Sequence, residues 1–159
     1  MNFDEAFTKL LGHEGAYSNH SADKGGETMW GVTWRVARAH GYQGPMQHMP
    51  TDVAKAIYRK SYWDAVGLDL LPSDVRFVVF DGAVNSGVGQ SVKWLQRAVG
   101  AKDDGAIGPR TLEAVRAMHG ARVTSRYNGH RLQFMSGLSD WGHFGKGWAR
   151  RIASNLMET

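Results

Sequence analysis

The chain has 159 residues, enough for one domain or two small ones sharing a core, and its 42% hydrophobic residues can supply that core. It has no cysteine, which excludes disulfides, thiolate metal sites and cysteine nucleophiles. The formal charge is +4; Lys+Arg and Asp+Glu balance at 13 each as far as His119, so the excess lies from Gly120 onwards, 6 against 2, and favours an anionic partner.

Met1 to Leu11 carries Asp4 and Glu5 and no long apolar run, so it does not read as a secretory signal. No window approaches 18 uninterrupted apolar residues. A protein held in the cytoplasm until something else releases it is expected, without stable membrane insertion. Phe3, Phe7, Leu10 and Leu11 recur at helical spacing, and Glu14 followed by Gly15 is expected to close that helix. An acid at the negative end of a helix dipole has its charged form disfavoured, which suits a general acid. Asp23, nine positions on, lies in a polar stretch from Ser18 to Gly26 that should keep it ionised. One protonated and one ionised carboxyl is the division of labour glycosidases use. The plainer alternative is a surface helix followed by a polar hairpin. Gly25-Gly26 is a turn signal, and Thr28, Trp30, Val32 and Trp34 alternate with Met29, Gly31 and Thr33 as in a short strand. Such a strand would fold Asp23 and Thr28 back toward Glu14.

Trp34 to His40 reads as a short helix stopped by Gly41, and Gln43 to Pro50 as a loop with two prolines. Thr51 or Asp52 then caps a helix whose inward positions include Val53, Ala56, Ile57 and Tyr62. The aromatic run Tyr58 to Asp64 suits either a core or a sugar cleft. Ser73 or Asp74 caps a buried helix through Val75, Val78, Val79, Ala83 and Val84. Asp81 and Asn85 share a face of it and must either bond within the core or point into a cleft. A helix from Gln90 to Val99 ends at Gly100; Asp104-Gly105 marks a turn, and Pro109 opens the next helix. The aspartates of that loop lack the spacing of an EF-hand. The seven histidines include no His-Glu-x-x-His; His13 and His20, about two helical turns apart, are too far apart to share a metal ion, and His119, His130 and His143 are scattered. Neither a metal nor a cofactor is expected.

The runs Glu14-Gly-Ala-Tyr17, Asp23-Lys-Gly-Gly-Glu-Thr28 and Trp30-Gly-Val-Thr33 together resemble the signature of the glycoside hydrolase family 108 muramidases, lysozymes found among phage endolysins. The spacing is also similar to the glutamate–aspartate–threonine triad of phage-type lysozymes, in which the glutamate ends a helix and the other two sit on a hairpin. Thr28 follows Asp23 by five residues where that pattern more often has six, which leaves Thr33 in reserve, and Ala16 replaces a usual glycine. The resemblance extends through Tyr58 to Asp64 and Phe80 to Gly87. Trp94-Leu95-Gln96 with Asp104-Gly-Ala-Ile-Gly-Pro-Arg-Thr111 resembles the helix–loop–helix of predicted peptidoglycan-binding modules, and similarity continues through Arg131 to Phe144–Arg151.

The resemblance implies a mainly α protein (α+β, lysozyme-like), a helical bundle with one small β-hairpin next to the catalytic helix. It implies a muramidase region over 1–88 and a peptidoglycan-binding-like module over 89–159, packed as one unit. Glu14, Asp23 and Thr28 are the expected catalytic residues; Tyr17, Trp30, Tyr62, Asp81 and Asn85 are the expected substrate-binding ones. The partner is the glycan strand of peptidoglycan, cut by a monomer with no nucleic-acid partner. A lytic transglycosylase and a non-catalytic wall-binding protein are the alternatives.

Overall fold

The computed structural model describes residues 1–12, 17–19 and 26–157. Glu14 and Asp23, the two expected catalytic carboxyls, lie outside the described residues, as does the Gly15 stop. The fold is mainly α with one small antiparallel hairpin, and it divides into two compact units, Phe3–Ser61 and Met1–Asn2 with Tyr62–Thr159.

The smaller unit begins with α1, Phe3–Leu11, which buries Phe3, Ala6 and Phe7. Gly12 follows at φ +50, in the left-handed conformation that a glycine adopts without a Cβ penalty. The hairpin pairs β1, Thr28–Met29, with β2, Val32–Thr33, and Ser18 bridges to Thr28 on the other side. The single strand expected over Thr28–Trp34 is therefore two strands. Trp30 at φ +53 and Gly31 at φ +74 form a two-residue turn of the kind that matches strand twist. An L-residue at positive φ costs about 1–2 kcal/mol. Trp30 is held there at both ends: its indole N–H donates to the Met49 carbonyl at 2.9 Å, and its own carbonyl accepts from the Tyr58 hydroxyl at 3.3 Å.

Thr33 caps α2, Trp34–Ala39, and accepts from the Val36 amide at 3.4 Å; the chain then turns at Gly41 as expected. In α3, Thr51–Tyr58, the buried residues are Ala54, Ile57 and Tyr58, while Ala56 is exposed. The inward face is thus rotated from the expected one, and Pro50, not Thr51 or Asp52, stands at the cap. Phe7 meets Tyr58 edge-on at 5.5 Å, and Lys55 pairs with Asp4 at 2.9 Å, so α3 ties α1 to the hairpin turn. A wider π-helical turn, Arg59–Trp63, follows.

The larger unit continues through α4, Asp64–Val66, to the helices α5, Arg76–Ser86; α6, Val88–Val99; α7, Pro109–Arg116; α8, Gly120–Ser136; and α9, Trp141–Met157. Met1 joins this unit through its ammonium, which donates to the Ser73 carbonyl at 3.1 Å. Its core gathers Trp63 against Phe80 at 5.4 Å and Trp94 against Tyr127 at 5.9 Å, both edge-on. Ser91 on α6 donates to the Val79 carbonyl of α5 at 2.7 Å and meets the Tyr127 hydroxyl of α8 at 2.7 Å, linking three helices through one oxygen. Gly82 is required on α5, because any Cβ there would overlap that same tyrosine hydroxyl. Among the described residues, no helix is long and apolar enough to cross a membrane.

Candidate active site

The hairpin of the smaller unit carries the described part of the expected site. Thr28 lies mid-ladder, exchanging both backbone hydrogen bonds with Ser18 at 2.9 Å and pairing with Thr33 across the hairpin. That pairing fixes its Cα, and its hydroxyl donates to the Gly26 carbonyl at 3.3 Å, a bond that uses its proton and not its lone pairs. Tyr17 is half-buried, and its hydroxyl donates to the Glu27 carboxylate at 2.7 Å. Glu27 is the residue the sequence reading passed over. It stands directly before Thr28, is itself half-buried, and is the carboxylate the described hairpin brings into place. Its position inside the Asp23–Thr28 run was the available signal. Trp30 occupies the turn, half-buried, with its ring tied to Met49. Thr28 and Trp30 therefore sit on one ladder and its turn, and Tyr17 directly precedes the bridging Ser18. Thr33, the reserve threonine, is occupied as a helix cap.

Tyr62, Asp81 and Asn85 belong to the larger unit. Tyr62 is half-buried on the π-helical turn. Asp81 is 1% exposed, and both its carboxylate oxygens are engaged. Arg131 Nη1 reaches Oδ2 at 2.5 Å, and Asn155 Nδ2 donates to the same oxygen at 2.9 Å. Arg151 approaches Oδ1 alone, with Nε at 2.7 Å and Nη2 at 2.6 Å, so two charge-assisted contacts converge on the second oxygen. Burial pushes this carboxyl up, but the Arg131 and Arg151 guanidiniums, by charge and hydrogen bonding, outweigh burial and hold it below the usual carboxylate range. Of the two settings the sequence left open, Asp81 occupies the core one and is bonded to side chains from α8 and α9. Asn85, exposed one turn on, donates to the Asp81 carbonyl at 2.8 Å and more weakly to Oδ1 at 3.4 Å.

Gln96 organises the loop between α6 and α7 in the same way. Its amide donates to Asp104 Oδ1 and the Ala106 carbonyl at 2.9 Å each and to Thr111 Oγ1 at 3.3 Å, and its oxygen accepts from the Gly105 amide at 2.9 Å. The Leu-Gln and Asp-Gly-x-x-Gly-Pro-x-Thr elements of the motif are one hydrogen-bonded knot. Hydrogen bonds from Gln96 and the Ala106 amide keep the Asp104 carboxyl below its ordinary range. Among the described residues, no three histidine, aspartate or glutamate side chains converge as a metal-binding set.

Residues 7–87, about half of the chain, match the family model described as Glycosyl hydrolase 108. The chain belongs to the glycosyl hydrolase 108 family. Residues 90–153 of this family 108 chain match a second model, described as Predicted Peptidoglycan domain. The solved structure of Brucella abortus SagA is similar to it with a TM-score of 0.86 and 34% sequence identity, over 98% of this chain and 92% of that one. No curated protein matches the chain. The family 108 chain is thus a glycoside hydrolase directed at peptidoglycan. The family models divide it between residues 87 and 90, whereas compactness divides it at Ser61 and Tyr62.

Proposed function

We propose that the protein is an N-acetylmuramidase that hydrolyses the β-1,4 bond between N-acetylmuramic acid and N-acetylglucosamine. In this reading Glu14 protonates the glycosidic oxygen as the bond to the anomeric carbon breaks. Asp23 takes a proton from the water that attacks that carbon or, if it does not act as base, stabilises the oxocarbenium-like charge. Thr28 holds the water through the lone pairs that its bond to Gly26 leaves free. A water placed opposite Glu14 inverts the anomeric centre, the course that needs the wider carboxyl separation. Tyr17, Trp30 and Tyr62 supply faces for the sugars, and Asn85 an exposed amide. Asp81 serves the substrate only indirectly, by holding the helix that carries Asn85.

The observation that supports this reading best is the family match over residues 7–87, which spans the whole Glu14–Asp23–Thr28 pattern. The described hairpin adds a rigid ladder position for Thr28. Regions 1–88 and 89–159 are proposed to divide the work between cutting and wall attachment. An endolysin role follows, in which a monomer is held in the cytoplasm until it is released onto the wall and lyses the cell.

Glu14→Gln tests it. The amide keeps size and removes the acidic proton, and general acid catalysis is worth roughly 10²–10⁴-fold. Clearing of permeabilised bacteria should fall by at least that factor with the circular dichroism spectrum unchanged. Wild-type digests should carry reducing muramic acid ends. Anhydro-muramic ends would make the enzyme a transglycosylase, and no product at all would leave a wall-binding protein.

A further inference from the structure

The knot around Gln96 does more than close a loop. It forms the edge of a groove of about 730 Å³ between that loop and the start of α7. That size lies within the range of small-ligand sites, roughly 300–1,000 Å³. Gly100, Ala101, Ala106, Gly108 and Ala114 make its walls, so an extended chain can approach the backbone closely. No aromatic side chain lines it, and it therefore lacks the flat apolar face that packs on a pyranose ring. Its charged side chains are Lys102, Asp104 and Arg110. Asp104 is committed through Oδ1, which accepts from Gln96 at 2.9 Å and from the Ala106 amide at 3.1 Å. The Arg110 guanidinium is exposed and has no hydrogen bond or ion pair among the described residues.

We propose that this groove binds the peptide stem of peptidoglycan, with Arg110 and Lys102 receiving a stem carboxylate. The proposal rests on the peptidoglycan reading and gives the two parts of the chain different portions of one polymer. The hairpin side takes the glycan, and the groove takes the peptide. A planar guanidinium matches a carboxylate with two parallel hydrogen bonds. The small walls suit a short peptide of alternating stereochemistry better than a bulky disaccharide. The Gln96 knot, buried and bonded on both its amide nitrogen and its oxygen, holds the groove open before any ligand arrives.

The test uses the full chain, labelled for amide NMR, and three soluble probes: a stem tetrapeptide with a free C-terminal carboxylate, the same peptide amidated, and a peptide-free glycan oligosaccharide. The free acid should shift the amides of residues 100–111. Amidation should weaken it, and Arg110→Gln should weaken it by about tenfold or more, the scale of one lost charge-assisted hydrogen bond. Arg110→Lys should recover part of that. Absence of those shifts, equal binding of the amidated peptide, unchanged affinity in Arg110→Gln, or shifts of the same amides by the oligosaccharide would each overturn the assignment. Hydrolysis of peptide-free glycan by the wild-type protein is followed in parallel. Turnover without peptide binding removes the groove and leaves the hydrolase; peptide binding without turnover upholds the groove and removes the hydrolase.

Discussion

Asp81→Asn takes one charge out of the most constrained cluster in the larger unit. The carboxylate compensates Arg131 at 2.5 Å and Arg151 at 2.6 Å, with Asn155 as a third donor at 2.9 Å. The two arginines differ in what they lose. Arg131 is fully buried, and a charge left unpaired there costs about 3–5 kcal/mol. The Arg151 side chain is 38% exposed, so solvent screens its loss to at most about 1 kcal/mol. The expected destabilisation is therefore about 3–5 kcal/mol, dominated by Arg131. In a chain of this length that lowers Tm on the order of 10 °C. Thermal melts and urea unfolding measure it, with peptidoglycan hydrolysis assayed below both transitions. Arg131→Met in the Asp81→Asn background should restore a large part, since it removes the stranded charge. The acid side follows with its sign. The folded pKa of Asp81 lies below the unfolded value, so its contribution is complete above about pH 4 and is lost as pH falls through the folded value. Asp81→Asn should accordingly flatten the acid limb of the stability profile. A loss under about 1 kcal/mol accompanied by collapse of hydrolysis would refute this reasoning and return Asp81 to direct substrate contact.

Gly31→Ala should cost about 2–4 kcal/mol, because a Cβ at φ +74 is disfavoured and would overlap the Tyr58 hydroxyl. Tyr58→Phe removes the overlapping atom, so the double variant should be more stable than the sum of the singles by at least about 1 kcal/mol in urea unfolding; additivity within about 0.5 kcal/mol would show that the two residues do not meet. Arg122, Lys146 and Arg150 are exposed cations of the C-terminal quarter with no ion pair among the described residues. Hydrolysis of intact sacculi should fall as salt rises, because attraction to the anionic wall is screened over about 8–10 Å, and soluble fragments should respond less. Replacing all three with Gln should reproduce the salt effect on sacculi, and an equal response of both substrates would remove the electrostatic argument.

Local chemistry carried much of this fold into the sequence. Gly41 and Gly100 stop helices at positive φ, and Pro109 begins α7, as their backbone preferences dictate. The hairpin turn was hidden because Trp30, not an asparagine or glycine, occupies its first left-handed position. An alternating pattern then reads straight through it. The inward face of α3 was misplaced for a related reason. Its start at Pro50 and the π-helical turn at Arg59–Trp63 set a register that simple helical spacing does not contain, so Trp63 is buried while Tyr62 stays half-buried. The proposed acid pair rests on family resemblance, since two carboxyls nine residues apart are common in any chain. The pairing of Arg131 with Asp81 was not legible in the sequence. Nothing in the sequence links residues 50 positions apart, and the same holds for Arg151, 70 positions from the acid.

That shared carboxylate also constrains how the chain was assembled from its two family regions. Asp81 lies in the stretch matched by the hydrolase model, and Arg131 and Arg151 lie in the stretch matched by the peptidoglycan model. All three belong to one compact unit, with α5 packed on α6 and α8. A fragment beginning at residue 89 would keep a buried guanidinium and lose its counter-charge, along with the Ser91 bond to the Val79 carbonyl. The penalty, several kcal/mol before any apolar contact with α5 is counted, approaches the whole stability of a small domain, about 5–15 kcal/mol. The wall-directed region is therefore not a detachable tether. Its helices complete the core around Phe80 and Asp81, held by the same packing that satisfies that one acid.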